Sequence, residues 1–468
     1  MTFSRHFCCL VPFLLAALAL MGPGPTDLAA SQAKRPNFIL ILVDDMGWTD
    51  LGCQGSDVYQ TPNLDQLAQE GMRFTNGYAA CTVCSPTRAA VMTGKYPARL
   101  HITDWIHGHQ RPNAKLLPPD WTHYLPSQET TIAEVLKAAG YATCHIGKWH
   151  LGDEPEHWPD KQGFDHNIGG YGRGAPPSYF SPYKIPTLKD GPPGEYLTDR
   201  EANEAVKFIE ANKDKPFFLY LPHYAVHTPL QGKKDVIVRY QQRIQAGMKH
   251  TNAIYAAMVE GVDDAFGTIH AKLKELRIAD NTVIIFTSDN GGLTVRGSTN
   301  NTPLREGKGS TYEGGVRVPL LVKWPGVTKP GSVCHEPVMS IDYLPTILDI
   351  VGVRYAAARP DGASIVPLLK NPRAKLDRDA IYWHYPHYHP GGATPYSAIR
   401  AGDWKLIEFF EDNHVELYHL KDDLSEKHDL ADKMPNKTNE LRARLHAWRK
   451  AVGAQLPKPN PAYPGAEK

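Results

Sequence analysis

The residues Asn37–Val43 read NFILILV, and the chain passes from them directly into Asp44 and Asp45. An unbroken apolar run of this length is typical of a strand that is buried on both faces. In open α/β sheets, ligands bind at the carboxyl ends of such strands. Two adjacent acids at a strand end are more often a solvated turn, so a polar site at this point needs support from a second strand.

Helix and strand patterns alternate along the chain beyond this strand. Thr61 and Pro62 open a short amphipathic helix that ends at Gly71. The repeated alternation predicts a large, mostly parallel sheet with helices on both faces. Further helices are expected at 131–139, 197–212 and 254–276, further strands at 141–146, 216–221 and 282–287, and a long surface loop at the Pro/Gly-rich stretch 174–194.

The pattern changes after about residue 375, where aromatic-rich extended stretches are separated by polar turns. We expect extended chain at 380–385, 396–410 and 415–420, and a helix at 436–452. This order predicts a small antiparallel sheet covered by one helix. The predicted division of the chain is therefore a signal peptide at 1–33, a main α/β domain at 34–375 and a C-terminal α+β subdomain at 376–468.

The N-terminus has the layout of a secretory signal peptide. Arg5 precedes an apolar run at 7–21, and small residues offer cleavage after Ala30 or Ala33. A membrane anchor is the alternative, but a run of about 15 residues that contains Pro12 is short for a bilayer span. We therefore expect an exported protein, periplasmic or secreted, without stable membrane insertion.

Composition excludes several classes of protein. With 51 Lys and Arg against 50 Asp and Glu, the net charge of +1 gives no global field for nucleic acid. The 39 Gly and 39 Pro indicate a globular, loop-rich chain. The 21 histidines suggest local chemistry without locating it. Five cysteines lie beyond the signal peptide, an odd set that indicates no disulfide scaffold and raises the question of which one has another role: Cys53, Cys81, Cys84, Cys144 and Cys334.

A second strand end repeats the acidic pattern of the first. The predicted strand 282–287 runs into Ser288, Asp289, Asn290 and two glycines. Adjacent carboxylate and amide oxygens suit a hard cation, which takes several oxygen ligands from different parts of a fold. Two such ends in one sheet predict a joint calcium or magnesium site.

The segment around Cys84 carries several interpretations. Cys81 and Cys84 could form a redox pair, half a zinc site or a plain structural disulfide. No second close-set cysteine pair completes a zinc site. Pro86 indicates a helix start, which places Cys84 just ahead of free N–H groups in a position suited to anions.

The pattern C-x-P-x-R-x-x-x-x-T-G at 84–94 resembles the signature of the type I sulfatases, in which this cysteine is oxidised to Cα-formylglycine. Thr87 stands where the family usually has Ser or Ala. Supporting motifs follow in order along the chain: Asp44-Asp45, Gly147-Lys148-Trp149-His150-Leu151-Gly152, His227-Thr228-Pro229, Ser288-Asp289-Asn290-Gly291-Gly292, Lys308, and Tyr312-Glu313-Gly314-Gly315-Val316-Arg317.

The resemblance implies a role for each matching residue. A formylglycine-generating maturation enzyme would convert Cys84, and the hydrated aldehyde would attack sulfur. His150 is similar to the base that releases sulfate from the diol. Lys148 lies two positions before it, and in an extended segment the two side chains would share a face. Arg88 is similar to the residue that orients the diol.

The resemblance also implies a metal and a set of sulfate-binding groups. One Ca²⁺ would be held by Asp44, Asp45, Asp289, Asn290 and an oxygen of residue 84. Lys308 and His227 resemble the residues that bind sulfate and protonate the leaving alcohol, with His223 the nearest competitor of His227. The expected fold is the alkaline-phosphatase-like α/β fold.

The resemblance favours a sulfatase acting on a sulfated saccharide of the galactose or N-acetylgalactosamine type, or on an aryl sulfate. Alternatives are a phosphonate monoester or phosphodiester hydrolase of the same superfamily and a non-catalytic, calcium-dependent glycan-binding relative. Polar and aromatic residues are candidates for the substrate rim, with packing or a second metal site as alternatives for the last three: Asp104, Trp105, His107, His109, His384, His387 and His389.

Overall fold

The computed structural model describes Met1 and residues 35–353 and 359–464. Apart from Met1, the predicted signal peptide lies outside these residues. The chain from Arg35 onward forms one compact unit. Within the described part of the chain, no helix is both long and apolar enough to cross a bilayer.

Sixteen strands and eleven α-helices make up the described chain. The strands are β1 (Asn37–Val43), β2 (Met72–Phe74), β3 (Gly77–Tyr78), β4 (Leu116–Leu117), β5 (Ala142–Ile146), β6 (His166–Ile168), β7 (Phe217–Pro222), β8 (Thr282–Ser288), β9 (Leu320–Lys323), β10 (Ser332–Cys334), β11 (Val338–Met339), β12 (Ile381–Tyr385), β13 (Tyr396–Ala401), β14 (Trp404–Phe409), β15 (Val415–His419) and β16 (Lys458–Pro459). The helices are α1 (Pro62–Glu70), α2 (Cys84–Thr93), α3 (Pro97–Leu100), α4 (Ile132–Ala138), α5 (Leu197–Ala211), α6 (Lys234–Arg243), α7 (Ala253–Glu275), α8 (Glu313–Val316), α9 (Tyr343–Val351), α10 (Val366–Lys370) and α11 (Pro435–Val452).

The main sheet has eight strands in the order β10-β2-β9-β8-β1-β7-β5-β6. Strand β1 pairs in parallel with β7 on one side and β8 on the other, and β5 pairs in parallel with β7 and β6. Strand β9 is the antiparallel member. The predicted mostly parallel α/β sheet is confirmed, and β1 lies at its centre with all seven residues buried.

Helices cover both faces of this sheet because the central strands are apolar on both sides. Side chains of β1 alternate between two cores, with Ile39 and Ile41 in one and Leu40 and Leu42 in the other. Helices α1, α5 and α7 pack into the first core, and α2, α4 and α9 into the second. The predicted helices at 131–139, 197–212 and 254–276 correspond to α4, α5 and α7.

The C-terminal part is a four-stranded antiparallel sheet, β12-β13-β14-β15, with α11 against it through Leu441, Leu445 and Trp448. The predicted sheet and helix are confirmed, but the single extended stretch 396–410 is wrong. It divides into β13 and β14, which pair with each other. Gly402 makes the turn between them with a φ of 58°, in the left-handed region that favours glycine.

The Pro/Gly-rich stretch 174–194 is a loop, but it does not lie only on the surface as expected. Tyr179 and Tyr183 are fully buried in the first core. The Tyr179 hydroxyl lies 2.5 Å from the Tyr224 carbonyl oxygen and 2.9 Å from that of His227. Burying aromatic side chains anchors this loop beside the chain that follows β7.

Candidate active site

The ends of four parallel strands bring most of the predicted site residues together. Asp44 and Asp45 follow β1, Asp289 and Asn290 follow β8, Lys148 and His150 follow β5, and His227 follows β7. Because β1 is paired with β7 and β8, its end lies between theirs. The Asp289 amide donates to the Val43 carbonyl (3.0 Å), which joins the two acidic turns directly.

Helix α2 supplies Cys84 and Arg88 from the same edge of the sheet. All ten of its residues are buried, and it ends at Gly94, whose amide donates to the Ala90 carbonyl. Cys84 is the first residue of the helix instead of lying just ahead of it. Cys81 and Cys84 are free thiols, so the disulfide alternative is not what the structure shows. Burial raises the pKa of the Cys84 thiol to about 12.

Three carboxylates and three cations form a buried ionic cluster around Cys84. Lys148 Nζ lies 2.6 Å from Asp44, Lys308 Nζ 2.7 Å from Asp45, and Arg88 Nη2 2.7 Å from Asp289. The Cys84 Sγ lies 3.4 Å from Lys308 Nζ and 3.7 Å from Asp44 Oδ1. The acidic and basic residues around residue 84 are therefore brought together in the fold as direct ion pairs.

The carboxyl groups of Asp44 and Asp45 have pKa values that move in opposite directions. Burial and repulsion by Asp289 raise the pKa of Asp44 to about 7. Burial alone would also raise the pKa of Asp45, but the charge of Lys308 and its hydrogen bond to Asp45 hold that pKa well below its usual range. Crowded buried carboxylates favour a nearby cation, because a cation offsets their mutual repulsion.

The donor set at these strand ends fits a hard divalent cation. The Asn290 side chain donates from Nδ2 to Asp45 (2.7 Å), and its Oδ1 is buried without a hydrogen-bond partner among the described residues. Ligand atoms of Asp44, Asp45, Cys84 and His227 lie within 4.8 Å of one another. Ca²⁺ takes oxygen ligands, so the predicted carboxylate and amide set suits it better than the imidazole of His227, which was not predicted as a ligand.

His150 is held as a neutral base with one free lone pair. Its ring Nε2 lies 2.6 Å from the Ile106 carbonyl, so Nε2 carries the hydrogen and Nδ1 is left without a partner within the described chain. Burial and Lys148 lower the pKa of His150 well below its ordinary value. The expected extended geometry for Lys148 and His150 is wrong: the segment is a loop, and His150 has a φ of 61°.

His227, and not its competitor His223, faces the ionic cluster. His227 Nε2 lies 3.7 Å from Asp45 Oδ2, and Nδ1 lies 2.7 Å from the Thr228 carbonyl. Burial and Lys308 lower the pKa of His227 to about 3. His223 is buried against Glu201 (2.6 Å). The neutral His227 therefore presents its Nε2 lone pair toward the cluster, and Lys308 is the charged donor beside it.

A cavity of about 740 Å³ opens above the cluster and reaches Cys84, His150, His227 and Lys308. Of the residues considered for the rim, three line this cavity: Trp105, His107 and His389. Asp104, His384 and His387 are buried and do not line it; Asp104, for example, accepts a hydrogen bond from the Tyr385 hydroxyl (2.8 Å). The half-buried ring of His109 stacks on Trp105. The ring of His384 is hydrogen-bonded to the Ser397 hydroxyl, and the ring of His387 is hydrogen-bonded to the Thr103 hydroxyl.

Sequence reasoning missed the wall opposite Trp105. Asp153, Tyr171 and Arg173 line the cavity, with Gly174 next to them. Asp153 lies 2.6 Å from the exposed ring of His107, which joins the two walls. The run of glycine and proline that starts at Gly174 was the available signal, since binding residues often lie on such loops.

Known protein families match both the main α/β part of the chain and its C-terminal part. Residues 36–353 match the family model described as Sulfatase, and residues 307–451 match the model described as N-sulphoglucosamine sulphohydrolase, C-terminal. The first match covers more than half of the chain and contains all of the residues that meet at the ionic cluster.

Individual relatives agree with these matches. A sulfatase of Formosa agariphila is 32% identical, with 95% of this chain and 94% of that protein aligned. The N-acetylgalactosamine-6-sulfatase of Homo sapiens is 36% identical over 76% of this chain and 69% of its own length. The crystal structure of Ps i-CgsB in complex with k-i-k-neocarrahexaose superimposes with a TM-score of 0.76 at 32% identity, covering 92% of this chain and 95% of that one.

Proposed function

Because this chain belongs to the sulfatase family it is a sulfuric ester hydrolase, and we propose that it removes sulfate from a carbohydrate of the galactose or N-acetylgalactosamine type. The observation that carries the proposal is the cavity: Cys84, His150 and Lys308 lie at its floor, and Trp105 and His107 stand at its rim. Aromatic and polar rim groups suit the faces and hydroxyls of a sugar ring.

The charges of the ionic cluster fit the same reaction. When all three carboxyl groups are ionised, they cancel the charge of the three cations. A divalent cation would then be offset by a singly charged sulfate ester together with a deprotonated nucleophile. The complete transition state can therefore be held in a buried site without excess charge, which favours catalysis over simple glycan binding.

We assign the nucleophile to residue 84 after conversion of the cysteine to formylglycine by a maturation enzyme. The geminal diol of that residue supplies one hydroxyl for attack on sulfur and a second for release of sulfate. Ca²⁺, held by Asp44, Asp45, Asp289 and Asn290, would supply Lewis-acid stabilisation of the sulfuryl oxygens. The raised pKa of the unmodified Cys84 thiol keeps it protonated at neutral pH.

The remaining groups bind, orient and move protons. The free Nδ1 of His150 accepts the proton whose removal releases sulfate. The ammonium group of Lys308 binds sulfate and donates toward the leaving oxygen, with His227 beside it. Arg88 is held by Asp289 and by the Lys148 carbonyl (3.0 Å), and so fixes the first turn of α2 under residue 84. Lys148 neutralises the charge of Asp44 through an ion pair.

We also propose that the chain is exported, since its N-terminal sequence has the layout of a signal peptide. Export would place the enzyme where extracellular or periplasmic glycans are met. Sequencing the N-terminus of the mature protein tests this: a start near residue 31 or 34 is expected, and an intact N-terminus on the purified protein would contradict it.

The main test compares matched sulfate and phosphate monoesters, an aryl pair and a galactose 6-O pair, with Ca²⁺ present. Hydrolysis of the sulfates, and faster hydrolysis of the sugar sulfate than of its phosphate partner, is expected. A preference for phosphate would favour the alternative phosphonate or phosphodiester hydrolase. Mass spectrometry of the peptide 81–88 should show an aldehyde in place of the thiol.

Substitution at residue 84 completes the test. Cys84→Ala should lower kcat by a factor on the order of 10⁶, because loss of the nucleophile removes the covalent route. Cys53→Ala is the matched control, since Cys53 is a half-buried cysteine away from the cavity. Equal activity of Cys84→Ala and Cys53→Ala would contradict the assignment.

A further inference from the structure

A second cavity of about 540 Å³ adjoins the active-site cavity and is lined by Arg111, Lys115, Tyr388 and Glu411 among others. Two separate segments connect the two spaces. The loop after α3 contributes 105–108 to the active-site cavity and 110–115 to the second one. From the C-terminal sheet region, His389 lines the first cavity and its neighbour Tyr388 lines the second.

The contacts between these segments show that one wall separates the two cavities. The Arg111 guanidinium reaches the His389 carbonyl at 3.5 Å and lies 5.8 Å from the centre of the Tyr388 ring. On the other side of His389, the Trp105 ring lies edge-on at 5.4 Å. A group that extends from the active-site cavity past His389 would therefore come close to Arg111.

The second cavity carries two exposed cations and one acid. Arg111 and Lys115 are both exposed, and neither makes an ion pair with any described residue. Glu411 is the one carboxylate among its described lining residues, and it accepts the Tyr388 hydroxyl (2.6 Å). The excess positive charge is thus open to solvent, and an anion placed there would meet two unpaired cations.

We propose that this second cavity binds a sulfate or carboxylate group on the sugar unit next to the one that is desulfated, so that the enzyme acts on an anionic oligosaccharide. The inference rests on the proposed function and extends it to the neighbouring unit. With the scissile sulfate at Lys308, the glycan chain runs past His389 and places its next anionic group over Arg111 and Lys115. These two residues contribute to binding and take no part in bond cleavage.

The test uses three substrates with the matured enzyme: an aryl sulfate, a sulfated disaccharide whose second unit is neutral, and the same disaccharide with a carboxylate on that unit. Lys115→Ala should raise the KM for the anionic disaccharide about two- to fivefold, the range expected for one exposed ion pair. The kcat should stay unchanged, since uniform binding is lost. The effect should shrink at high salt.

Two further variants keep the test decisive. Glu411→Gln should shift the KM for the anionic disaccharide in the opposite direction, about twofold lower, because it removes the opposing charge. Lys213→Ala, at an exposed lysine after α5, is the matched control and should change the KM for neither disaccharide. Equal KM changes for the neutral and anionic disaccharides, or no change in either, would overturn the subsite. Hydrolysis of the aryl sulfate but of no saccharide would instead overturn the proposed carbohydrate substrate, and the subsite with it.

Discussion

Two of the buried ionic clusters in the described part of the chain differ in what surrounds them. The ionic cluster around Cys84 is called the catalytic cluster from here on, and it lies at the edge of the main sheet where the parallel strands end. The closed cluster, defined by Glu313, Arg317, Lys405 and Glu426, lies between the N-terminus of α8 and the C-terminal sheet. In the closed cluster Lys405 Nζ lies 2.9 Å from both Glu313 and Glu426, and Arg317 Nε lies 2.6 Å from Glu313.

Perturbed pKa values do not distinguish the two clusters. In the catalytic cluster the pKa of Asp44 is raised to about 7 and that of Asp45 is lowered. In the closed cluster burial raises the pKa of Glu426 to about 7, while Lys405 and Arg317 outweigh burial and lower that of Glu313. A strongly shifted carboxyl group is therefore a sign of burial here as much as of function.

Access distinguishes them, whereas an unpartnered polar atom does not, because Glu426 Oε1 in the closed cluster also lacks a hydrogen-bond partner among the described residues and has only its ion pair with Lys405. The active-site cavity reaches the catalytic cluster, and the Nδ1 of His150 and Oδ1 of Asn290 are left without partners among the described residues. None of the four residues of the closed cluster lines that cavity. The comparison indicates that the closed cluster joins two parts of the fold, whereas the catalytic cluster is open to a cavity.

The same substitution in each cluster should have opposite consequences. Lys405→Met is expected to lower the free energy of unfolding by about 3–5 kcal/mol, because it leaves two buried carboxylates without their shared partner. Urea unfolding measures this loss, and kcat per folded molecule should stay at the wild-type value. The double variant Lys405→Met/Glu426→Gln should recover part of the stability. A large fall in kcat with unchanged stability would show that the closed cluster takes part in catalysis.

Lys308→Met is the matched change in the catalytic cluster. We expect kcat to fall about 10²- to 10³-fold, equal to about 2.7–4 kcal/mol, because a preorganised charge beside the reacting sulfate is lost. With Ca²⁺ present to balance Asp45, the free energy of unfolding should change much less than in Lys405→Met. Initial rates on an aryl sulfate and urea unfolding measure the two effects. Equal losses of stability in both variants would remove the distinction between the clusters.

Calcium should stabilise the folded protein through the catalytic cluster and not through the closed cluster. At a Ca²⁺ concentration of 100 times its Kd, the protein should gain about 2.7 kcal/mol of stability, because only the folded state binds the ion tightly. Thermal unfolding with and without chelator measures the gain. Asn290→Leu should reduce it by removing the free Oδ1, whereas Glu426→Gln should retain it in full. A calcium response lost equally in both variants would contradict the assigned site.

Parts of this arrangement could be predicted because their signals are local. The apolar run Asn37–Val43 ends at two acids, and the polar run after β8 repeats the pattern. Parallel pairing then brings the two ends together without further information. The segment around Cys84 was recognisable because its spacing is long and specific. Gly402, which breaks the stretch 396–410 into two strands, was a turn signal that the aromatic pattern on either side obscured.

Other parts depend on contacts between distant residues and have no local signal. The hydrogen of His150 is placed by the backbone carbonyl of Ile106, 44 residues away. The extended geometry expected for Lys148 and His150 failed because His150 adopts a left-handed backbone in a loop. Burial of Tyr179 and Tyr183 in a Pro/Gly-rich stretch follows from the shape of the first core, which no short pattern encodes.

The smallest expected effect concerns the surroundings of His150. A Cβ added at Gly174 would lie 2.4 Å from the Cε1 atom and 2.7 Å from the Nε2 atom of the His150 ring. Both distances are shorter than a nonbonded contact allows, so Gly174→Ala must move the ring and lengthen its 2.6 Å hydrogen bond to Ile106. We expect kcat to fall about tenfold, equal to about 1.4 kcal/mol, with little change in KM or stability.

A double-mutant cycle shows whether this effect passes through the imidazole. In a His150→Ala background, Gly174→Ala should have no further effect on kcat, because the ring that it displaces is gone. If Gly174→Ala lowers kcat equally in both backgrounds, the glycine acts on the substrate through the cavity wall. If Gly174→Ala changes kcat in neither background, catalysis does not depend on the close approach of residue 174 to the His150 ring. Only the first result supports the view that the catalytic cluster, unlike the closed cluster, depends on an open and accurately placed lone pair.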